Sequence, residues 1–290
     1  MENFKGIFPA LLTPFDGEDR INDKALESLI KMNMEKGVKG FYVGGSTAEA
    51  FLMSNDERKH IFDVVKSATK GECTLIAHIG CIATNQAIEL GRYACDLGYD
   101  GISSIPPFYY KFTFEEIKKY YYDIVDSVNL PMIIYNFPNF SGVTLTADNI
   151  GEFLNDPRFI GVKHTSSDYF TMEQIKSRYP DKLVYNGFDE TFMAGLSMGA
   201  DGGIGSTYNF MAEKFVKIYD LFHNGEIAAA QEIQKTANKI ISVLCKVGVL
   251  QGEKAMLEIM GIEFGECRAP FIGLTSEQKE MLTKEILPLL

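Results

Sequence analysis

The chain has 290 residues, of which 46% are apolar and 23% charged, with a net charge of −11. This length allows two ordinary domains or one barrel of about 250 residues with an appendage, and the acidic balance excludes a nucleic-acid footprint or an anionic membrane surface as partner. No apolar run approaches the roughly 20 residues needed to span a bilayer, and Met1–Lys5 lacks the basic segment and apolar stretch of a leader, so the expected location is cytoplasmic.

Short β-rich apolar runs alternate with amphipathic segments as far as Phe222. Strands are expected at Gly6–Leu12, Gly40–Gly44, Thr74–Ile79, Gly101–Ile105, Pro131–Asn136, Ile160–Thr165, Lys182–Asn186 and Asp201–Gly205. Helices are expected between them, near Asp23–Lys36, Asp56–Thr69, Asn85–Leu97, Phe114–Ser127, Ala147–Leu154, Phe170–Arg178, Glu190–Met198 and Ala212–Phe222. Ser54 with Glu57 and Thr113 with Glu116 have capping-box spacing, in which side chain and backbone satisfy each other at a helix start. Alternation of this kind implies parallel pairing through right-handed crossovers, and eight units close into a (β/α)8 TIM barrel. A doubly wound sheet would carry a phosphate-binding glycine fingerprint after its first strand, where this chain has Thr13-Pro14-Phe15-Asp16-Gly17. From Gly225 onward only helical patterns remain, at Glu226–Val247, Glu253–Met260 and Ser276–Ile286. The expected division is a barrel over residues 1–224 that carries the active site and a C-terminal helical region over 225–290.

The five cysteines are scattered and unpaired in spacing, as expected of reduced, mostly buried thiols. His60, His78, His164 and His223 show no metal-ligand spacing and are read as structural, so no metal site is expected.

Barrel chemistry gathers where strands end. The sixth run, Ile160-Gly161-Val162-Lys163-His164-Thr165, ends in a lysine; alternation places Ile160 and Val162 on one face and Gly161, Lys163 and Thr165 on the other. Burial of an ammonium is costly unless it is paired or loses its proton, and the neutral amine is a nucleophile able to attack a carbonyl. The alternative is a strand-end lysine that snorkels to solvent. Tyr135 shares parity with Ile133 and can point the same way as Lys163, as a proton relay or as an aromatic core residue. Strand two runs into Gly44-Gly45-Ser46-Thr47, whose N–H groups and hydroxyls suit a carboxylate. The acidic pair Asp189 and Glu190 and the turn Gly205-Ser206-Thr207 suit a polyhydroxyl ligand, since sugar hydroxyls donate and carboxylates accept. Pro106-Pro107-Phe108-Tyr109-Tyr110 reads as an exposed aromatic loop of the kind found at subunit contacts.

Val43-Gly44-Gly45-Ser46-Thr47, Pro107-Phe108-Tyr109-Tyr110, Tyr135-Asn136 with Pro138, Ser141-Gly142-Val143, Gly161-Val162-Lys163 with Thr165-Ser166, Asn186-Gly187-Phe188-Asp189-Glu190 and the run Gly199–Asn209 together resemble the N-acetylneuraminate lyases of the dihydrodipicolinate synthase family of class I aldolases. Cys267-Arg268-Ala269-Pro270-Phe271 extends the likeness beyond the barrel. The resemblance implies reversible cleavage of N-acetylneuraminate, a sialic acid, to N-acetylmannosamine and pyruvate, by a homotetramer without cofactor or metal. It implies that Lys163 forms the Schiff base and that Tyr135 moves the proton, aided by Ser46 and by Tyr109 of a neighbouring subunit. It further implies that Ser46 and Thr47 hold the pyruvate carboxylate, and that Thr165, Gly187, Asp189, Glu190 and Ser206 bind the sugar. Two alternatives stay open: an aldolase acting on another sugar-derived 2-keto acid, and a barrel that binds a keto acid without chemistry. The synthases carry an arginine five residues after the tyrosine; Phe140 stands there, and an apolar ring cannot pair with a second carboxylate. The lyase loop ordinarily reads Gly-Ser-Thr-Gly-Glu. Here Ala48 replaces its second glycine, which would strain the loop if that position required positive φ.

Overall fold

All eight apolar runs form strands: β1 (Gly6–Pro9), β2 (Gly40–Val43), β3 (Thr74–His78), β4 (Gly101–Ser104), β5 (Met132–Asn136), β6 (Phe159–His164), β7 (Leu183–Asn186) and β8 (Gly202–Gly205). They belong to a computed structural model that describes residues 1–290. Every pair is parallel, in the order β1-β8-β7-β6-β5-β4-β3-β2. Leu11 N–H donates to Tyr42 C=O and Lys39 N–H to Ile7 C=O, both at 2.9 Å, which joins β1 to β2 and closes the TIM barrel. Twelve helices surround and extend it: α1 (Asp23–Glu35), α2 (Asn55–Thr69), α3 (Thr84–Asp96), α4 (Phe114–Ser127), α5 (Pro138–Ser141), α6 (Gly151–Leu154), α7 (Tyr169–Arg178), α8 (Phe192–Ser197), α9 (Tyr208–His223), α10 (Ile227–Leu244), α11 (Val249–Ile259) and α12 (Ser276–Ile286). The expected capping boxes are present at Ser54/Glu57 and Thr113/Glu116.

One expected helix is shorter than its pattern. Residues 147–150 form a turn instead, because Thr146 N–H donates to Asn149 Oδ1 at 2.8 Å and Asn149 N–H to Thr146 Oγ1 at 3.4 Å. Short polar side chains here compete with helical backbone bonding. No helix is long and apolar enough to cross a membrane.

The strands separate two apolar layers. Val162, Ile134 and Phe159 face the helices, whereas Phe8, Tyr42, Ile133, Leu183, Tyr185 and Ile204 fill the barrel interior. Ile160 breaks the expected parity. The β5–β6 register passes from Met132↔Phe159 to Ile133↔Gly161, and the extra residue turns Ile160 inward against the interior cluster, away from the face of Val162. Beyond the bulge, alternation resumes and Lys163 points inward, aligned with Tyr135.

Leu244, Met256, Leu257, Leu282 and Ile286, from the last three helices, join the same apolar cluster as the outer strand faces. The cysteines are all free, but only Cys81 is buried, contrary to the expectation of mostly buried thiols. Cys245 is exposed because it follows the last turn of α10, where the chain borders a cavity.

Candidate active site

At the C-terminal end of the barrel lies a cavity of about 450 Å³ whose lining includes Ser46, Thr47, Tyr135, Lys163, Thr165, Gly187, Asp189, Glu190 and Ser206. Sequence positions from 46 to 206 therefore meet because each follows or ends a strand of one closed sheet. Tyr109 is absent from this lining. Its side chain is 84% exposed on the loop after β4, with Tyr110 beside it also exposed.

Lys163 is 4% exposed and has no ion-pair partner, in contrast to the other buried lysine, Lys254, which pairs with Glu49 at 2.5 Å. Its Nζ stands 4.2 Å from the ring centre of Tyr135 and 4.5 Å from that of Tyr42. Burial lowers its pKa from 10.5 to about 7, against a smaller opposing attraction from Asp189. Two aromatic faces partly replace the lost hydration, yet the neutral amine is within reach at physiological pH. Tyr135 is fully enclosed, and burial pushes its phenol well above 10. The Ser46 and Thr165 hydroxyls beside it pull in the opposite direction. Neither Ser46 Oγ nor Thr165 Oγ1 closes a hydrogen bond in this arrangement, so both are free for a ligand or the phenol.

Ser46 and Thr47 open a 3-10 turn, Ser46–Ala48, so their backbone N–H groups precede any acceptor within it. Ala48 does not strain this loop. The left-handed residue is Glu49, at φ 60°, while Ala48 is absent from the residues with positive φ. The methyl group is buried, and the Ala48 carbonyl accepts from Thr13 Oγ1 at 2.9 Å.

On the opposite side, Asp189 is buried, and its Oδ2 accepts from Thr207 N–H at 2.9 Å and Thr207 Oγ1 at 2.7 Å. Burial raises its pKa to about 6, and the two Thr207 bonds oppose that rise. Asp189 Oδ1 has no partner. It lies over Gly205, where a Cβ would collide with it; a Cβ at Gly187 would likewise strike Thr165 Oγ1. Neither position can carry a side chain without displacing these groups. Glu190 is exposed at the rim, and its carbonyl accepts from Asn238 Nδ2 at 2.9 Å. The rim is aromatic: Phe140 packs at a tilt against Phe137 with centres 4.3 Å apart, and Phe137 stacks on Tyr135 at 5.7 Å.

His78 and His164 are buried and hold backbone, as expected. His78 Nδ1 meets the Gly44 carbonyl at 3.1 Å, and His164 Nε2 meets that of Asp168 at 3.0 Å. On α11, the buried charged groups Glu253 and Lys254 went unnoticed in the sequence. Glu253 lines the cavity and accepts from Ser206 Oγ at 2.6 Å. Lys254 and Glu49 tie α11 to the residue following Ser46–Ala48. The signal that could have found them is their position before three consecutive apolar residues, Ala255-Met256-Leu257, a turn of helix with no solvent face.

The model of the dihydrodipicolinate synthetase family matches residues 3–287. The chain is 45% identical over 287 residues to the N-acetylneuraminate lyase of Rhizobium meliloti, covering 99% of this chain and 95% of that protein. Among solved structures, CdNal from Clostridium difficile in complex with mannosamine superposes with a TM-score of 0.97 at 41% identity, covering 99% of both chains. The N-acetylneuraminate lyase of Fusobacterium nucleatum complexed with pyruvate gives 0.95 at 37% identity, covering 100% of this chain and 98% of that one. Family match and fold agree, and the chain belongs to the dihydrodipicolinate synthetase family.

Proposed function

We infer that the protein is a class I aldolase that reversibly cleaves N-acetylneuraminate to N-acetylmannosamine and pyruvate. The observation that carries this is the enclosed, unpaired Lys163 amine between Tyr42 and Tyr135, at the floor of a cavity lined by hydroxyls on one side and carboxylates on the other. The curated lyases of 41–45% identity over nearly the whole chain support the same activity.

The chemistry follows from the groups present. Neutral Lys163 attacks the ketone of the open-chain sugar acid, and loss of water leaves an iminium. The iminium withdraws the electron pair of the bond between its α and β carbons as the hydroxyl on the departing β carbon loses its proton. An aldehyde leaves, and an enamine remains on Lys163. The enamine carbon needs one proton, the number that the hydroxyl released, and Tyr135 between the Ser46 and Thr165 hydroxyls is placed to pass it. Hydrolysis then frees pyruvate, whose carboxylate Ser46 and Thr47 hold. Thr165, Gly187, Asp189, Glu190 and Ser206 face the sugar. Tyr109, exposed in the single chain, would complete the site from a neighbouring subunit of a cytoplasmic homotetramer. Light scattering in solution tests that assembly. The organisation is a barrel of residues 1–224 with a helical region, 225–290, that closes one wall.

Incubation with N-acetylneuraminate should release N-acetylmannosamine and pyruvate in equal amounts. Cleavage of a 2-keto-3-deoxy acid without release of N-acetylmannosamine would favour a different sugar-acid aldolase. Phe140→Arg should weaken activity on the sugar acid by roughly tenfold, since a guanidinium replaces an apolar ring packed against Phe137 at the cavity rim. Unchanged kinetics would show that Phe140 does not face the acceptor.

The pH dependence has a fixed sign. Lys163 attacks only as the free amine, so kcat/KM should rise with pH until about 7 and level off above it. An amine of ordinary pKa would give a rate still climbing past pH 9. A pH–rate profile separates the two.

A further inference from the structure

Beyond the Schiff-base centre, one buried acid has no role in the chemistry above. Glu253 comes from α11, outside the barrel strands, and is 0% exposed although it contributes to the cavity lining. Ser206 Oγ donates to its Oε1 at 2.6 Å, and its Oε2 has no partner. Burial raises its pKa well above 4.5, opposed by the Ser206 bond and reinforced by Asp189. Oε1 accepts whether or not Oε2 carries a proton. A serine hydroxyl has one proton to give. Once committed to Glu253, Ser206 can present only lone pairs to the cavity.

Its neighbours have the same polarity. Asp189 Oδ1 is buried and unpartnered, and the Glu190 carboxylate stands at the rim. This end of the cavity therefore accepts hydrogen bonds and offers none from these three side chains. We propose that Glu253 is a positioning residue that turns Ser206 into an acceptor, so that the far end of the cavity selects substrates bearing free hydroxyls over those whose hydroxyls are esterified. This rests on the aldolase reading and adds a specificity determinant to it.

Steady-state cleavage of N-acetylneuraminate, and of an ester of its terminal hydroxyl, by wild type, Glu253→Gln and Glu253→Leu tests the idea. Wild type should prefer the free hydroxyl. Glu253→Leu should reduce that preference by roughly three- to tenfold, the range for one hydrogen bond, with the larger share in KM of the free substrate. Glu253→Gln should keep the preference, because its amide oxygen still accepts from Ser206. An unchanged ratio in Glu253→Leu, or equal loss in both variants, overturns the proposal. If Glu253→Leu does not fold, Ser206→Ala decides: retention of the wild-type preference also overturns it. Borohydride trapping of pyruvate on wild type separates the two levels. A trapped adduct with an unchanged ratio removes the role of Glu253 alone, whereas no adduct removes the aldolase reading beneath it.

Discussion

Lys163→Ala should lower turnover by a factor on the order of 10⁴ or more, the scale on which removing a covalent nucleophile acts, while the protein remains folded. The loss is large because every step depends on the nitrogen–carbon bond; without the iminium there is nowhere to place the electrons of the breaking bond. The fold should survive because Lys163 makes no ion pair, and the space it leaves joins a cavity of about 450 Å³ that already exists. Removing a buried amine that must otherwise shed its proton also takes away a cost. Circular dichroism and the melting temperature should match wild type while pyruvate release disappears. Residual turnover within tenfold of wild type would assign the chemistry to another group.

Lys254→Met should give the largest loss of stability. The Lys254 and Glu49 side chains are 1% and 0% exposed and form an ion pair at 2.5 Å. Lys254 also donates to the Glu266 carbonyl at 3.1 Å and lies 4.4 Å from the ring centre of Phe15. Burial lowers the Lys254 pKa and Glu49 opposes that fall. With the lysine gone, the Glu49 carboxylate keeps only the Arg268 N–H, at 2.7 Å. Breaking one side of a buried pair costs about 3–5 kcal/mol, equivalent to a fall in Tm on the order of 10 °C. KM for pyruvate should rise as well, since Glu49 follows the Ser46–Ala48 turn directly and holds the left-handed residue that ends it. The double variant Glu49→Gln with Lys254→Met should recover much of the stability, because no charge is left uncompensated. A single variant that melts with wild type would show the pair to be dispensable.

The barrel was legible because its signals are local. Alternating apolar runs, turn residues and capping spacings act over a few positions, and so does the parity that aligns Tyr135 with Lys163. The inward turn of Ile160 was not legible, since a bulge depends on how β6 meets β5 and leaves no mark in the composition of either strand. Glu253 and Lys254 read as an ordinary charged pair on a helix. Their partners, Ser206 and Glu49, lie 47 and 205 positions away, and only the closed barrel with α11 packed on it brings them together. Ala48 shows the converse. A missing glycine looked like strain, but the backbone places its positive φ one residue later, at Glu49.

The most direct test of the central claim is borohydride reduction of the protein in the presence of pyruvate, followed by peptide mass mapping. The account predicts one stable adduct, on Lys163, absent without pyruvate and absent in Lys163→Ala. Full activity with no adduct, or an adduct on a different lysine with Lys163 unmodified, would contradict it.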